Sequence, residues 1–437
     1  MKYVFVGTGI AALSAAEAVR RRDPHAELIM LGREPHPFYS RPGLAYLLTG
    51  SIPERQLHLR SADELSQLGL DRRVAEVTAV DVARREVHVA GAAPIGYDRL
   101  LLAVGAAAIP PDFPGGDLDG VVQLDQLDQT RDIIARADKA RAAVVVGGGP
   151  TALELAEGLA ARDVEVHYFL RGARYWSSVL DAEESRRVEN AVSEQGIILH
   201  HQTKVARAVG DDRGTLDWVE TEAGDTVSCQ LLAVAIGVRP RLELARAAGL
   251  AVGRGIRVDE RFETSVPGVF AAGDCAEVAD PVTGRGAVDS LWSTALAAGA
   301  IAGTAMAGAP AGYRRPPSLN VTRLGHITTT IIGAVGGRDG DGDLLTISRG
   351  DSLSWRVQPS AWSLTGDDPG RRIRVMVGPD TLLGAVVMND PAAARALTRL
   401  VRQRTPLGPL RDALEADPGS ALTKLIALGG DGGAASS

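Results

Sequence analysis

Hydrophobic positions along the chain gather into short continuous runs, each followed by a glycine turn and then by a longer stretch with helical spacing. Val4-Phe5-Val6 is such a run; Gly7-Thr8-Gly9 closes it, and an apolar-periodic stretch follows from Ile10. The pattern returns 140 positions later as Val144-Val145-Val146, then Gly147-Gly148-Gly149, then a second periodic stretch from Pro150. Each copy predicts a strand, a tight turn and a helix. Two further buried-strand patterns, Leu100-Leu101-Leu102-Ala103-Val104-Gly105 and Leu231-Leu232-Ala233-Val234-Ala235-Ile236-Gly237, are near copies of each other, so the duplication extends beyond the turns. From Ser318 onward the texture changes to alternating strand-like runs such as Thr328-Thr329-Thr330-Ile331-Ile332 and Thr381 to Val387.

These patterns predict an α/β chain: two nested Rossmann-like dinucleotide-binding domains plus a C-terminal α+β domain. Residues 1–112 and 239–315 form the first domain, discontinuous in sequence, and 113–238 form the second. Residues 316–430 make the third, after a linker read in Arg314-Arg315-Pro316-Pro317, and 431–437 read as a flexible tail. A length of 437 residues favours several cores over one.

Both turns have the spacing GxGxxA, and each position has a physical task. The first glycine permits the tight turn, the second lets backbone approach a pyrophosphate, and the small third residue lets helix pack on strand. The helix N-terminus then faces the phosphate charge. One such match is weak evidence, whereas two, each between a strand and a helix, point to two dinucleotides.

Composition narrows the classes. A net charge of −7 gives no general field for phosphate backbones, which argues against nucleic acid. No uninterrupted apolar run approaches the roughly 20 residues that cross a bilayer, and the start lacks a convincing cleavage site, so a cytoplasmic protein without an integral membrane segment is expected. Cys229 and Cys275 are the only cysteines, without CxxC or a His/Cys cluster at ligand spacing, so dithiol chemistry and a metal site are both disfavoured.

Five segments in order, VFVGTGIAALSAAE, FYSRPGLAYLLTGSI, YDRLLLAVGA, VVVGGGPTALELAEGL and TSVPGVFAAGDCAE, resemble the two-dinucleotide flavoprotein reductases, the superfamily of the pyridine nucleotide-disulfide enzymes and of ferredoxin, rubredoxin and nitrite reductase flavin modules. The resemblance spans about the first 310 residues. It implies FAD held by Gly7, Gly9 and Ala12, with Gly105, Gly273 and Asp274 beside it and Asp274 toward the ribitol. Arg41 and Pro42, from FYSRP, become further FAD contacts, and Glu34 becomes the acid for the adenosine ribose, one place later than the family pattern. The nicotinamide dinucleotide falls to Gly147, Gly149 and Ala152, with Glu154 near the nicotinamide and flavin, although Tyr46 stands where the family often has the lysine partner of that glutamate.

After Val164 to Phe169 no acid stands where NAD-selective members usually keep one. Arg171 and Arg174 follow instead, a pair suited to a 2′-phosphate and hence to NADPH over NADH, or else two solvated loop charges. Ser40 to Tyr46, the stretch that carries cysteine in the disulfide and peroxidase members, has no sulfur, so electrons are expected to leave the flavin without a dithiol step.

The acceptor is either a protein or a small molecule. Arg371, Arg372 and Arg374, with Arg395, Arg399 and Arg402 on a predicted helix, form a basic set that suits an acidic ferredoxin-like or other iron–sulfur protein, or else a solvated face. The C-terminal domain is also a candidate surface for a homodimer or larger complex. Two rivals stand beside the reductase: a peripheral membrane quinone reductase anchored through the amphipathic segment 391–403, and a flavin-bearing redox sensor or assembly subunit.

Overall fold

The computed structural model describes residues 1–280, 284–335, 362–368 and 370–430. The chain divides into two compact units: Met1–Ile109 with Asp125–Leu127 and Val238–Arg315, and Pro110–Leu124 with Asp128–Gly237 and Pro316–Ser437.

The first unit is built on a five-stranded sheet ordered Val269–Ala271, Arg99–Leu102, Lys2–Val6, Glu27–Gly32, Leu70–Val74. Its neighbouring strands are parallel. Strands buried on both faces need no alternation, and Val4, Phe5, Leu100, Leu101 and Leu102 are all fully buried. The helix Ile10–Arg22 packs on the helix Trp292–Met306 through small residues four apart. A Cβ on Gly299 would lie 2.1 Å from the Ala11 carbonyl oxygen, and one on Gly303 would lie 2.2 Å from that of Ala15. Residues four apart share a helix face, so the alanine and glycine spacing brings the two backbones into contact.

The second unit repeats the sheet: Ile198–His200, Glu165–Phe169, Ala142–Val146, Leu231–Val234, Val121–Val122, again parallel. A three-stranded antiparallel sheet, Val205–Gly210, Leu216–Thr221 and Thr226–Ser228, covers one face, with Phe169, Val144, Leu216 and Val219 in the shared core. After Pro316 comes a five-stranded antiparallel sheet ordered Leu319–Leu324, Ile327–Gly333, Leu382–Met388, Arg371–Val377, Trp362–Asp368. The helices Pro391–Gln403, Pro409–Ala416 and Pro418–Gly430 follow, so the α/β class with an α+β C-terminal part holds. The tail 431–437 lies outside the described residues.

Two expectations change. The face of segment 391–403 offered as a membrane anchor is taken: Leu397, Leu400 and Val401 lie in the C-terminal core with Val375, Val387 and Leu425. Burying a side chain of that kind contributes ~1.5–3 kcal/mol, which exposure to lipid would forfeit. Arg372 and Arg374 are buried and ion-paired to Asp181 and Glu184, so they do not belong to an exposed basic docking face. Within the segment read as a linker, which has no helix or strand, the Arg315 side chain is buried between Asp280 and Asp289, with Nη1–Oδ2 and Nη2–Oδ1 distances of 2.6 Å each. A buried guanidinium requires such partners, and both are distant in sequence.

Candidate functional site

The two glycine turns are built alike. Gly7 has φ +119°, and a Cβ there would fall 2.1 Å from the Ala103 carbonyl oxygen. Gly147 has φ +147°, and its Cβ would fall 2.3 Å from the Ala235 carbonyl oxygen and 2.9 Å from the Ala152 methyl. Each first glycine is therefore required both by conformation and by a neighbouring strand end. Ala12 and Ala152, the third positions, are completely buried where helix meets strand.

The middle glycines differ from the first. Gly9 is the N-cap of Ile10–Arg22 and Gly149 the N-cap of Pro150–Ala160, both extended, and a Cβ on either would meet nothing within 4 Å. Neither helix has a side-chain cap or an acid in its first turn. Helices elsewhere do: Ser61 and Asp181 each close a capping box, with Glu64 and Glu184. An uncapped N-terminus facing open space beside a glycine backbone is a cradle for an anionic group, and each glycine turn forms one. The residues fit a dinucleotide pyrophosphate at each.

Further groups collect around the first cradle. A Cβ on Gly273, whose φ is +80°, would lie 3.1 Å from the Ala11 methyl, so the Gly273-Asp274 turn sits against the first turn of the Ile10–Arg22 helix, with Asp274 half-buried. Gly105, φ +67°, ends the neighbouring strand region. The Arg241 guanidinium donates to the carbonyls on either side of it, those of Val104 and Ala106.

Arg41 and Glu34, both expected at FAD, are brought together as an ion pair. The Glu34 carboxylate also accepts from the Tyr39 hydroxyl at 2.5 Å, and Arg41 donates to the Asp125 carbonyl at 2.8 Å. The Tyr39 oxygen accepts the Leu127 N–H at 3.2 Å, and Arg241 pairs with the Asp125 carboxylate at 3.3 Å. Burial, with the Glu34 hydrogen bond, drives the Tyr39 hydroxyl well above its ordinary pKa. For Arg41 burial pulls down, but Tyr39, Glu34 and Asp125 outweigh it and hold the guanidinium above its usual value. Tyr39, Asp125 and Arg241 were not expected from sequence; only Tyr39, two residues before Arg41, lay inside a motif. Pro42 is exposed in the turn Arg41–Gly43.

Around the second cradle Glu154 is half-buried on the Pro150–Ala160 helix. Arg171 is exposed and Arg174 half-buried in the segment after strand Glu165–Phe169. Tyr46, where a lysine was sought, is exposed.

Neither cysteine is placed as a nucleophile. Cys275 is fully buried, its thiol directed to the Leu102 and Ala272 carbonyls at 3.4 Å each, and burial pushes its pKa up to about 11. Cys229 is likewise buried and pushed by burial up to about 12. A thiol so placed yields almost no thiolate at neutral pH. Among the described residues no helix is long and apolar enough to cross a membrane.

Comparison with known proteins gives a consistent picture. The family model described as pyridine nucleotide-disulphide oxidoreductase matches residues 1–300. The chain is similar to an NADH oxidase of Methanocaldococcus jannaschii, 28% identical over 75% of this chain and 75% of that protein. It is 32% identical to the ferredoxin–NAD(+) reductase component of the biphenyl dioxygenase system of Paraburkholderia xenovorans, over 80% of this chain and 84% of the relative. A solved ferredoxin reductase of Rhodopseudomonas palustris superposes with a TM-score of 0.83 at 23% identity, over 97% of this chain and 99% of that one, a likeness of fold.

Proposed function

Because the chain belongs to the pyridine nucleotide-disulphide oxidoreductase family and is an FAD-dependent NAD(P)H oxidoreductase, we propose that it oxidises NADPH in preference to NADH and hands the electrons to an iron–sulfur protein of the ferredoxin class without a dithiol step. The observation that carries the thiol-free route is the sulfur-free stretch Ser40 to Tyr46, together with the burial of both cysteines. The acceptor class is supported by the relative named as a ferredoxin reductase. We place the protein in the cytoplasm.

In this reading the first unit holds FAD. The amides at Gly9 and the start of Ile10–Arg22 take its pyrophosphate, Gly7 and Ala12 shape that turn, and Gly105, Gly273 and Asp274 line the ribitol side. Glu34 stands at the adenosine side, with Arg41 and Pro42 as further FAD contacts, and the Arg41 ion pair leaves the carboxylate a remaining lone pair for a ribose hydroxyl. Bound FAD supplies hydride acceptance and one-electron release. The protein orients, shields and sets charge. Gly147, Gly149 and Ala152 shape the coenzyme turn, Glu154 stands one helical turn inside it, and Arg171 and Arg174 offer guanidinium donors to a 2′-phosphate.

Anaerobic stopped-flow absorbance of the FAD-loaded protein, mixed separately with NADH and NADPH, tests the reading. Faster flavin bleaching by NADPH, followed by reoxidation on adding a ferredoxin-class protein, is expected. Faster bleaching by NADH overturns the coenzyme preference. Reoxidation by a quinone but by no iron–sulfur protein overturns the acceptor, and slow bleaching by both coenzymes favours a sensor.

A further inference from the structure

The segment Leu170–Leu180, which carries Arg171 and Arg174, has no helix or strand of its own. Its start is tied to the nucleotide sheet, where the Leu170 N–H donates to the His200 carbonyl at 2.8 Å and the Thr203 N–H donates to the Leu170 carbonyl at 3.0 Å. Its middle is tied to the helix Ala182–Ser193: the Tyr175 N–H donates to Glu189 at 2.6 Å, and the Ser185 hydroxyl donates to the Tyr175 carbonyl at 2.7 Å. Its end is held from elsewhere. Arg374, in the strand Arg371–Val377 of the C-terminal sheet, donates Nη2 to the Val179 carbonyl at 2.7 Å. The same guanidinium grips both oxygens of Glu184 at 2.8 Å each, and Nη1 reaches the Val335 carbonyl at 3.2 Å. Arg372 reaches Asp181, the N-cap that follows the segment, at 2.6 Å. Side-chain exposure is 5% for Arg374 and 0% for Glu184, so this contact is shielded from solvent and from salt.

A buried Arg–Glu pair is a poor way to gain stability, because desolvating both charges offsets most of their attraction. What it does supply is direction: a planar fork with fixed donor angles. We propose that Arg374 is a positioning residue for coenzyme binding, through which the C-terminal sheet fixes the segment Leu170–Leu180 and hence the arginines that select the 2′-phosphate. This rests on the reading above that the segment faces the adenosine ribose of the coenzyme.

The test separates the two ideas. In Arg374→Met/Glu184→Gln the charged pair is removed as a unit, so no lone charge is left buried, and the amide oxygen at 184 still accepts the Asp181 N–H, but the donor to Val179 is lost. The expected result is a Tm near that of the parent, unchanged FAD content and an unchanged flavin-reduction rate at saturating NADPH. The KM for NADPH and the Kd for 2′,5′-ADP by calorimetry should each rise on the order of fivefold, the worth of about one hydrogen bond. The Kd for 5′-AMP should move less. Arg374→Lys, which retains the charge and loses the fork, should fall between parent and double variant, and it replaces the double variant if that one does not fold. An unchanged Kd for 2′,5′-ADP in these variants overturns the brace. An unchanged Kd for 2′,5′-ADP in Arg171→Ala/Arg174→Ala overturns the underlying reading of the segment instead.

Discussion

The two glycine turns have the same internal geometry and different surroundings. In both, a first glycine with positive φ presses on the carbonyl of a neighbouring strand end, and a second opens an uncapped helix N-terminus to empty space. Around the first, small residues pack backbone to backbone, Ala11 and Ala15 against Gly299 and Gly303, beside the charged cluster of Glu34, Arg41, Asp125 and Arg241. Around the second, part of the support comes from the C-terminal sheet. Gly325 there packs on Ala191 of the next helix, and Glu157, one turn beyond Glu154, is hydrogen-bonded to Gln195 and lies in the field of Arg323 and His326. Close packing of small residues is stiff. The same motif thus sits in two different settings.

The first-position glycines offer the largest effect. Gly7→Ala should cost on the order of 3 kcal/mol or more, from the positive φ and the clash with Ala103, and urea unfolding would show it as a large fall in midpoint. The second positions discriminate between the cradles. Gly9→Asp meets no neighbour, so the protein should fold, yet a carboxylate in the cradle should leave it colourless after purification. Gly149→Asp should retain its flavin spectrum and fail to be reduced by NADPH at concentrations that saturate the parent. If both variants lose flavin, the division of labour between the cradles is wrong.

Smaller effects sharpen the contrast in surroundings. Burial raises the Glu157 pKa, while Gln195, Arg323 and His326 act in the opposite direction without cancelling it. Since the folded pKa lies above the unfolded value, ionisation of Glu157 opposes folding as pH rises above the ordinary 4.5. Glu157→Gln keeps a partner for Gln195, so its Tm should exceed that of the parent at pH 8, with the difference vanishing below pH ~4. Smallest of all, Cys229→Ala/Cys275→Ala should reduce and reoxidise like the parent, and native parent protein should resist iodoacetamide at pH 8. Loss of turnover on alkylation would restore a thiol route.

Both glycine turns, the duplicated strands and the change of texture after Ser318 were legible because each is a local pattern whose period or turn chemistry is fixed by nearby residues. The absence of sulfur from Ser40 to Tyr46 was legible for the same reason. The charge chemistry was not. Arg372 and Arg374 looked like a basic surface, yet Arg374 meets a glutamate 190 residues earlier. Arg315, in the segment read as a linker, meets Asp289, 26 residues earlier. The Glu34, Tyr39 and Arg41 cluster was half visible: two members lay in readable motifs, while Asp125 and Arg241, which complete it, lay in none.

By itself the sequence determined where strands end in glycine, that a helix follows each glycine turn, and that no thiol stands between Ser40 and Tyr46, because φ limits, periodicity and residue chemistry act over a few neighbours. Only the tertiary structure decided which arginines are solvated and which are buried, what supports each cradle, and that the C-terminal sheet holds the end of the segment carrying Arg171 and Arg174. The reason is that the cost of burying a charge depends on partners supplied by remote parts of the chain, and those meet only when the whole unit closes.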